Sequence, residues 1–280
     1  MKSFNVSAVG VLMSGIALSA PTIAEVTNTV VLASDIEWGK LNPARGDKSP
    51  KAANLWGDRK ADVATGFLVE FEDGFSSPPH IHNVTYRGVV ISGTVHNDDP
   101  QAAHTWMPAG SFWTQVVGES HITAAKGKRN LTYIEIDSGP YLVRPLEQAF
   151  ETSERSINID QTNLVWLSAA DTLWINSQSS KLPPAQLPHI SFLWGNPENS
   201  EPNGTFLKLP AQTSGQLHSS GKIRAVLIQG KLNYAGSDAV LEPGSLFSAD
   251  GASVHKISTT GQSDVVIYVR TEGQYQYKVD

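Results

Sequence analysis

The chain has 280 residues, 40% hydrophobic and 17% charged, with a formal net charge of −6. That is enough apolar mass for one large domain or two ordinary ones. The acidic balance and the lack of any Lys/Arg run exclude a phosphate-backbone binder, so no nucleic-acid partner is expected. Cysteine is absent, so disulfides and thiolate chemistry are excluded and a metal would need His, carboxylate, amide or phenol ligands.

In chain order, residues 1–24 read as a secretory signal. Lys2 supplies the positive start, Val9 to Leu18 the short apolar stretch, and "SAPTIA" the small residues before a cut near Ala24. The apolar run is too short to span a bilayer, and no later segment approaches about 18 apolar residues. The mature protein is therefore expected to be periplasmic or secreted, with no membrane contact after cleavage. Beyond the signal, short segments rich in β-branched and aromatic residues alternate with Gly, Pro, Asn and Asp. "TGFLVEFE", "RGVVISGTV", "LTYIEID", "GTFLKL", "RAVLIQGKL" and "DVVIYVR" predict strands. "HNDDP" and "YAGSD" predict turns. No window carries a long 3.6-residue period, so the chain is expected to be all-β.

The chain also repeats itself. Asp35-x-x-Trp38 recurs as Asp171-x-x-Trp174 at an offset of 136, and "NLWGD" recurs as "FLWGN" at 138. "RGVVISGTV" from Arg87 recurs from Arg224 at 137, and His121 is matched by His255 at 134. Landmarks in one order at nearly constant spacing predict two tandem homologous domains, 25–150 and 151–280, joined through "EQAFETSERSINIDQTN". Trp38, Trp56, Trp174 and Trp194 recur in both copies and are expected to pack cores.

The candidate chemistry lies in "PPHIHNVTYRGVVISG", residues 78–93. Two histidines two apart on a strand share a face. Gly74, five residues, His80-x-His82 and a closing Gly93, followed by Gly110, five residues, Val116-Val117-Gly118, two residues and His121, resemble the two motifs of the cupin family. The resemblance covers both copies, so the chain looks like a bicupin, close to two-domain cupins known only as a domain of unknown function and distantly similar to the cupin domains of zinc-binding anti-sigma factors. It implies two tandem double-stranded β-helix (jelly-roll) barrels, with one divalent ion (zinc, iron or manganese) on His80, His82 and His121.

Where the family places a glutamate, this chain has Tyr86. That residue is expected to ligate as a phenolate, to act as an unligated acid or base, or only to pack. Glu70, Glu72, Glu135 and Gln115 are further candidates for a fourth ligand. Arg87 recurs as Arg224 and is expected to be structural. The second copy offers Gln216-Leu217-His218 and His255, with Ile223 near the Tyr86 slot. It is expected to be structural or to form an interface, a weak site on His218 and His255 being the alternative. His96, His104 and His189 lie outside the motifs and read as surface or turn residues. The resemblance implies a metal-dependent enzyme of oxygenase or lyase/decarboxylase type acting on a small organic molecule; the alternative is a non-catalytic binding or sensing protein. A homodimer is the candidate assembly.

Overall fold

A computed structural model describes residues 26–177, 182–183 and 186–280. The predicted signal over residues 1–24 lies outside them. The predicted strand segments fall on strands, except that "RAVLIQGKL" is divided at Gly230 between Ile223–Gln229 and Lys231–Tyr234 of different sheets, and the helical segments among the described residues are short 3₁₀ turns. None of the described helices is long and apolar enough to cross a membrane.

Two β-barrels sit side by side. The first is built on an eight-stranded sheet containing Lys51–Trp56, Thr65–Phe71, Tyr86–Asp98, Phe112–Gln115 and Ile122–Ile136. The second is a sandwich of a seven-stranded and a five-stranded sheet. Each repeat lends an edge strand to the other barrel. Thr29–Val31 pairs with Leu246–Ala249 of the second repeat, and Ile157–Ile159 pairs with Phe112–Gln115 of the first.

The apolar runs are continuous because the central strands are buried on both faces. In Tyr86–Asp98, Tyr86 and Val90 point into the first barrel, while Val89 and Ile91 point toward the second. In Pro202–Leu209, Leu207 fills the second barrel and Phe206 faces the first. One apolar layer, including Leu131, Tyr133, Phe206 and Tyr268, thus joins the barrels. Each such side chain taken from water contributes about 1.5–3 kcal/mol, so the barrels form one unit.

The pairing of Tyr86–Asp98 with Ile122–Ile136 shifts register at Val90–Ser92 and again at Ser92–Thr94. Gly93 occupies the left-handed region there, with φ 75. The bulge reverses the alternation, so even-numbered Tyr86 and Val90 and odd-numbered Val95 all face the barrel interior.

The tryptophans divide. Trp174 is buried in the second barrel, and Trp56 and Trp194 pack against the inter-barrel layer. Trp38, by contrast, is exposed, so shared position in the repeat did not make it a core residue. Arg87 is an inter-barrel residue: it pairs with Asp137 at 2.9 Å and its guanidinium lies 3.5 Å from the Trp194 ring centre.

Candidate metal centre

The strand His80–His82 is only three residues long, and both flanks fix it. On one side it pairs with Val143–Pro145. On the other, His80 and His121 exchange backbone hydrogen bonds of 3.1 and 3.0 Å. That pair sets His121 directly opposite His80, and alternation turns His82 to the same side. The ring centres lie 4.3 Å (His80–His121), 5.0 Å (His80–His82) and 5.2 Å (His82–His121) apart. All three side chains are buried.

Each Nδ1 meets a backbone carbonyl: His80 that of Pro78 at 2.9 Å, His82 that of Leu142 at 3.1 Å, His121 that of Glu119 at 3.2 Å. A carbonyl only accepts, so each Nδ1 carries the proton and each Nε2 keeps its lone pair. Carbonyl partners of this kind orient ligating imidazoles. Burial lowers the pKa of all three below the usual imidazole value, to about 3 for His121. The rings are therefore neutral at neutral pH, as ligands must be. One ligand atom from each residue lies within 4.8 Å of the others. A closure of under about 2 Å gives the ~3 Å spacing of three nitrogens at ~2.1 Å from one ion. The triad fits a divalent cation.

Tyr86 does face the triad, although residues 83–85 interrupt the strand before it. Its O–H donates to Asn97 Oδ1 at 2.9 Å and lies 3.4 Å from His121 Nε2. Burial raises its pKa above the ordinary phenol value, so without an ion it is an O–H donor.

None of the other candidate fourth ligands faces the triad. Glu135 lies on the opposite face of its strand from Ile134 and Ile136, buried against Tyr133, Tyr268 and Arg270 of the inter-barrel layer. Glu70 pairs with Lys51 and Arg129 at the surface, and Glu72 is exposed. Gln115 is one shell out: its Oε1 accepts from Asn97 Nδ2 at 2.8 Å and its Nε2 donates to Glu119 O at 3.3 Å.

Two residues that the motifs did not flag complete the site. Asn97 Oδ1 accepts from both Tyr86 and Thr123 Oγ1, the latter at 2.7 Å. A connected polar chain therefore runs from Tyr86 through Asn97 and Gln115 to the carbonyl that holds His121. Tyr141 stacks on His82 at 4.4 Å and donates its O–H to His82 Nε2 at 3.2 Å. The stretch "GPYL" gave no motif signal, and Asn97 was hidden because the bulge at Gly93 reverses alternation. Above the triad opens a cavity of about 90 Å³ with mainly apolar walls.

The second copy does not rebuild this centre. Leu217, not Gln216 or His218, stands opposite His255, as His80 stands opposite His121. A shift of one residue reverses the faces. Leu217 enters the second barrel's core, while Gln216 and His218 lie on the half-buried outer face. His255 is satisfied by Tyr234 Oη at 2.9 Å and Ser253 Oγ at 3.0 Å. Among the described residues the only cluster of three metal-ligating side chains is His80, His82 and His121. His96 also departs from expectation. It is fully buried in Tyr86–Asp98, 4.5 Å ring to ring from exposed His104.

Among solved structures, a protein from Nostoc punctiforme assigned provisionally to the dioxygenases is similar at a TM-score of 0.64 and 14% identity, over 89% of this chain and 83% of that one. AerE from Microcystis aeruginosa is similar at 0.53 and 12%, over 84% and 96%. An oxalate decarboxylase from Bacillus subtilis with Mn(II) centres is similar at 0.50 and 10%, over 91% and 79%. At these identities the likeness is one of fold, the two-barrel cupin fold. No curated protein matches by sequence. The family described as a domain of unknown function (DUF4437) matches residues 29–278. The chain therefore belongs to the DUF4437 family.

Proposed function

We propose that this protein is a metal-dependent cupin enzyme, of oxygenase or lyase/decarboxylase type, that acts on a small organic molecule in the periplasm or outside the cell. The observation that carries the proposal is the convergence of three Nε2 lone pairs, each fixed by an Nδ1–H bond to a carbonyl, beneath an open cavity.

His80, His82 and His121 would hold the ion. Three neutral ligands leave its double charge intact, which suits polarising a carboxylate or enolisable substrate or supporting oxygen chemistry. The protein's own groups do the rest. Tyr86 is a hydrogen-bond donor whose direction is set by Asn97, and Tyr141 brings a second phenol O–H to the same space. Both groups border the cavity, the Tyr86 O–H held on Asn97 and the Tyr141 O–H on His82 Nε2, so an ion taking that lone pair would free the Tyr141 O–H for a substrate oxygen. Val69, Phe71 and Trp113 line the cavity and keep it poor in water. A storage or sensing protein would seal its ion, whereas here the cavity reaches His80 and His82, which favours catalysis over the binding alternative.

The test is elemental analysis of protein purified from its native compartment, followed by oxygen-uptake screening. About one divalent ion per chain in the wild type and none in His82→Ala is expected. Unchanged stoichiometry in the variant would sink the proposal.

A further inference from the structure

The cavity above the triad has a one-sided charge pattern. No Asp or Glu is among its lining residues, and with His80 and His82 neutral Arg45 is the one charged residue there. Arg45 is half-buried on the turn Pro43–Lys48. The turn is held at both ends: Asn42 Oδ1 accepts from Ala44 N at 3.1 Å, and Leu41 N donates to Pro50 O at 2.8 Å. The guanidinium lies 5.6 Å from the centre of the Phe75 ring, whose other neighbour is Phe71 at 5.1 Å. Among the described residues no carboxylate pairs with it. This is unlike Arg87, Arg129, Arg224 and Arg270, each of which has an acidic partner. An arginine held at the mouth of an apolar cavity with its fork unused is a ready carboxylate binder.

Resting on the enzyme reading above, we infer that the substrate is a small organic monoanion: a carboxylate with one aromatic ring or one short branched chain as its body. Its carboxylate sits on Arg45. Its body lies against Phe71, Phe75 and Trp113, and its far atoms reach toward His80, His82 and Tyr86. Two features limit the size. The cavity is about 90 Å³, smaller than the ~150 Å³ apolar cavity that encloses benzene, and its mouth is open, so a single ring fits only with its polar end outside. Charge limits the class. Three neutral imidazoles do not neutralise a divalent ion, and Arg45 adds a further positive charge with no lining carboxylate to offset it. An anion is attracted and a cation excluded. Arg87 is not among the lining residues and is committed to the inter-barrel layer.

The test uses the zinc-loaded full chain, with benzoate as probe and benzamide as its uncharged match, read by titration calorimetry. Benzoate is expected to bind about tenfold more tightly than benzamide, as one charge-assisted contact at a partly exposed site gives. Arg45→Gln should erase that preference and Arg45→Lys retain part of it, with metal content and Tm unchanged in both. Equal binding of the two probes, binding of neither, or a preference that survives Arg45→Gln overturns the inference. Elemental analysis of the same samples separates it from the enzyme reading. An Arg45-dependent preference in protein that holds no metal would leave the anion subsite standing and remove the metal enzyme.

Discussion

Replacing Glu135 by leucine separates two roles that the sequence left open. The carboxylate is fully buried and accepts from Tyr133 Oη at 3.1 Å, Tyr268 Oη at 2.7 Å and Arg270 Nη1 at 3.1 Å. Glu135→Leu therefore leaves a buried guanidinium with only Asp137, 2.7 Å away and half in solvent. It also leaves two buried phenols without their acceptor. Breaking a buried ion pair from one side costs about 3–5 kcal/mol, and each stranded hydroxyl about 1 kcal/mol more before relaxation. Leucine returns some apolar burial, so the expected net loss is about 4 kcal/mol, or roughly 10 °C in Tm for a chain of this size. Glu135→Leu/Arg270→Met should recover about half of that loss, because no buried guanidinium is then stranded while the two phenols still lack their acceptor. Metal content should not change, since the carboxylate points away from the triad. Thermal unfolding and elemental analysis of the two variants decide the matter. Loss of metal in Glu135→Leu would make the residue a ligand, and a double variant as unstable as the sum of its singles would refute the ion-pair account.

Other outcomes follow from the site. His121→Ala should lose the metal, while His255→Ala should keep it, by mass spectrometry, because His255 is already satisfied within the second barrel. Tyr86→Phe removes one O–H but leaves Thr123 on Asn97; metal should be retained, Tm should fall by the equivalent of about 1 kcal/mol, and turnover of any substrate found should drop about 10²-fold. In a chelator, stability should fall as pH drops below about 6.5. The folded state keeps His121 neutral down to about pH 3, whereas the unfolded chain protonates near 6.5, so acid favours unfolding. For His121 alone the loss between neutral pH and pH 5 is about 2 kcal/mol; a Tm that is flat over that range would contradict the neutral buried imidazole.

The strands were legible because β-branched and aromatic runs bounded by turn residues left few alternatives. The duplication was legible because Arg87 and Arg224, and Trp56 and Trp194, hold inter-barrel positions that both copies need. The convergence of His80, His82 and His121 followed from alternation plus a matching motif downstream. What stayed hidden depended on register. Alternation sets Tyr86 and Asn97 on opposite faces until the bulge at Gly93 reverses it. In the second copy, the offset of 137 that aligns the arginines sends His80 to Leu217, while an offset of 136 sends it to Gln216. Only strand pairing chooses between them. Tyr141 and Arg45 were invisible for a different reason: each acts from a loop or turn whose path across the barrel mouth is set by tertiary contacts, not by a local pattern.

The repeat also explains how one chain came to hold both a site and a scaffold. Corresponding positions have diverged in complementary directions. His80 corresponds to Leu217 and Tyr86 to Ile223, so the polar floor of the first barrel is apolar filling in the second. Asn97, which aims Tyr86, corresponds to Tyr234, which instead satisfies His255. Glu135 stands opposite Gly66 and Arg270 opposite Gly204, and both glycines lie under a tryptophan, Trp56 and Trp194. These are equivalent positions carrying opposite charges. Two identical barrels related by a twofold axis would set Glu against Glu and Arg against Arg, each pair buried and repelling. Opposite charges at that position favour pairing of unlike repeats, and the exchanged edge strands tie the same two repeats together. The second barrel could then give up its own site and serve as the wall against which the first keeps its histidines in register.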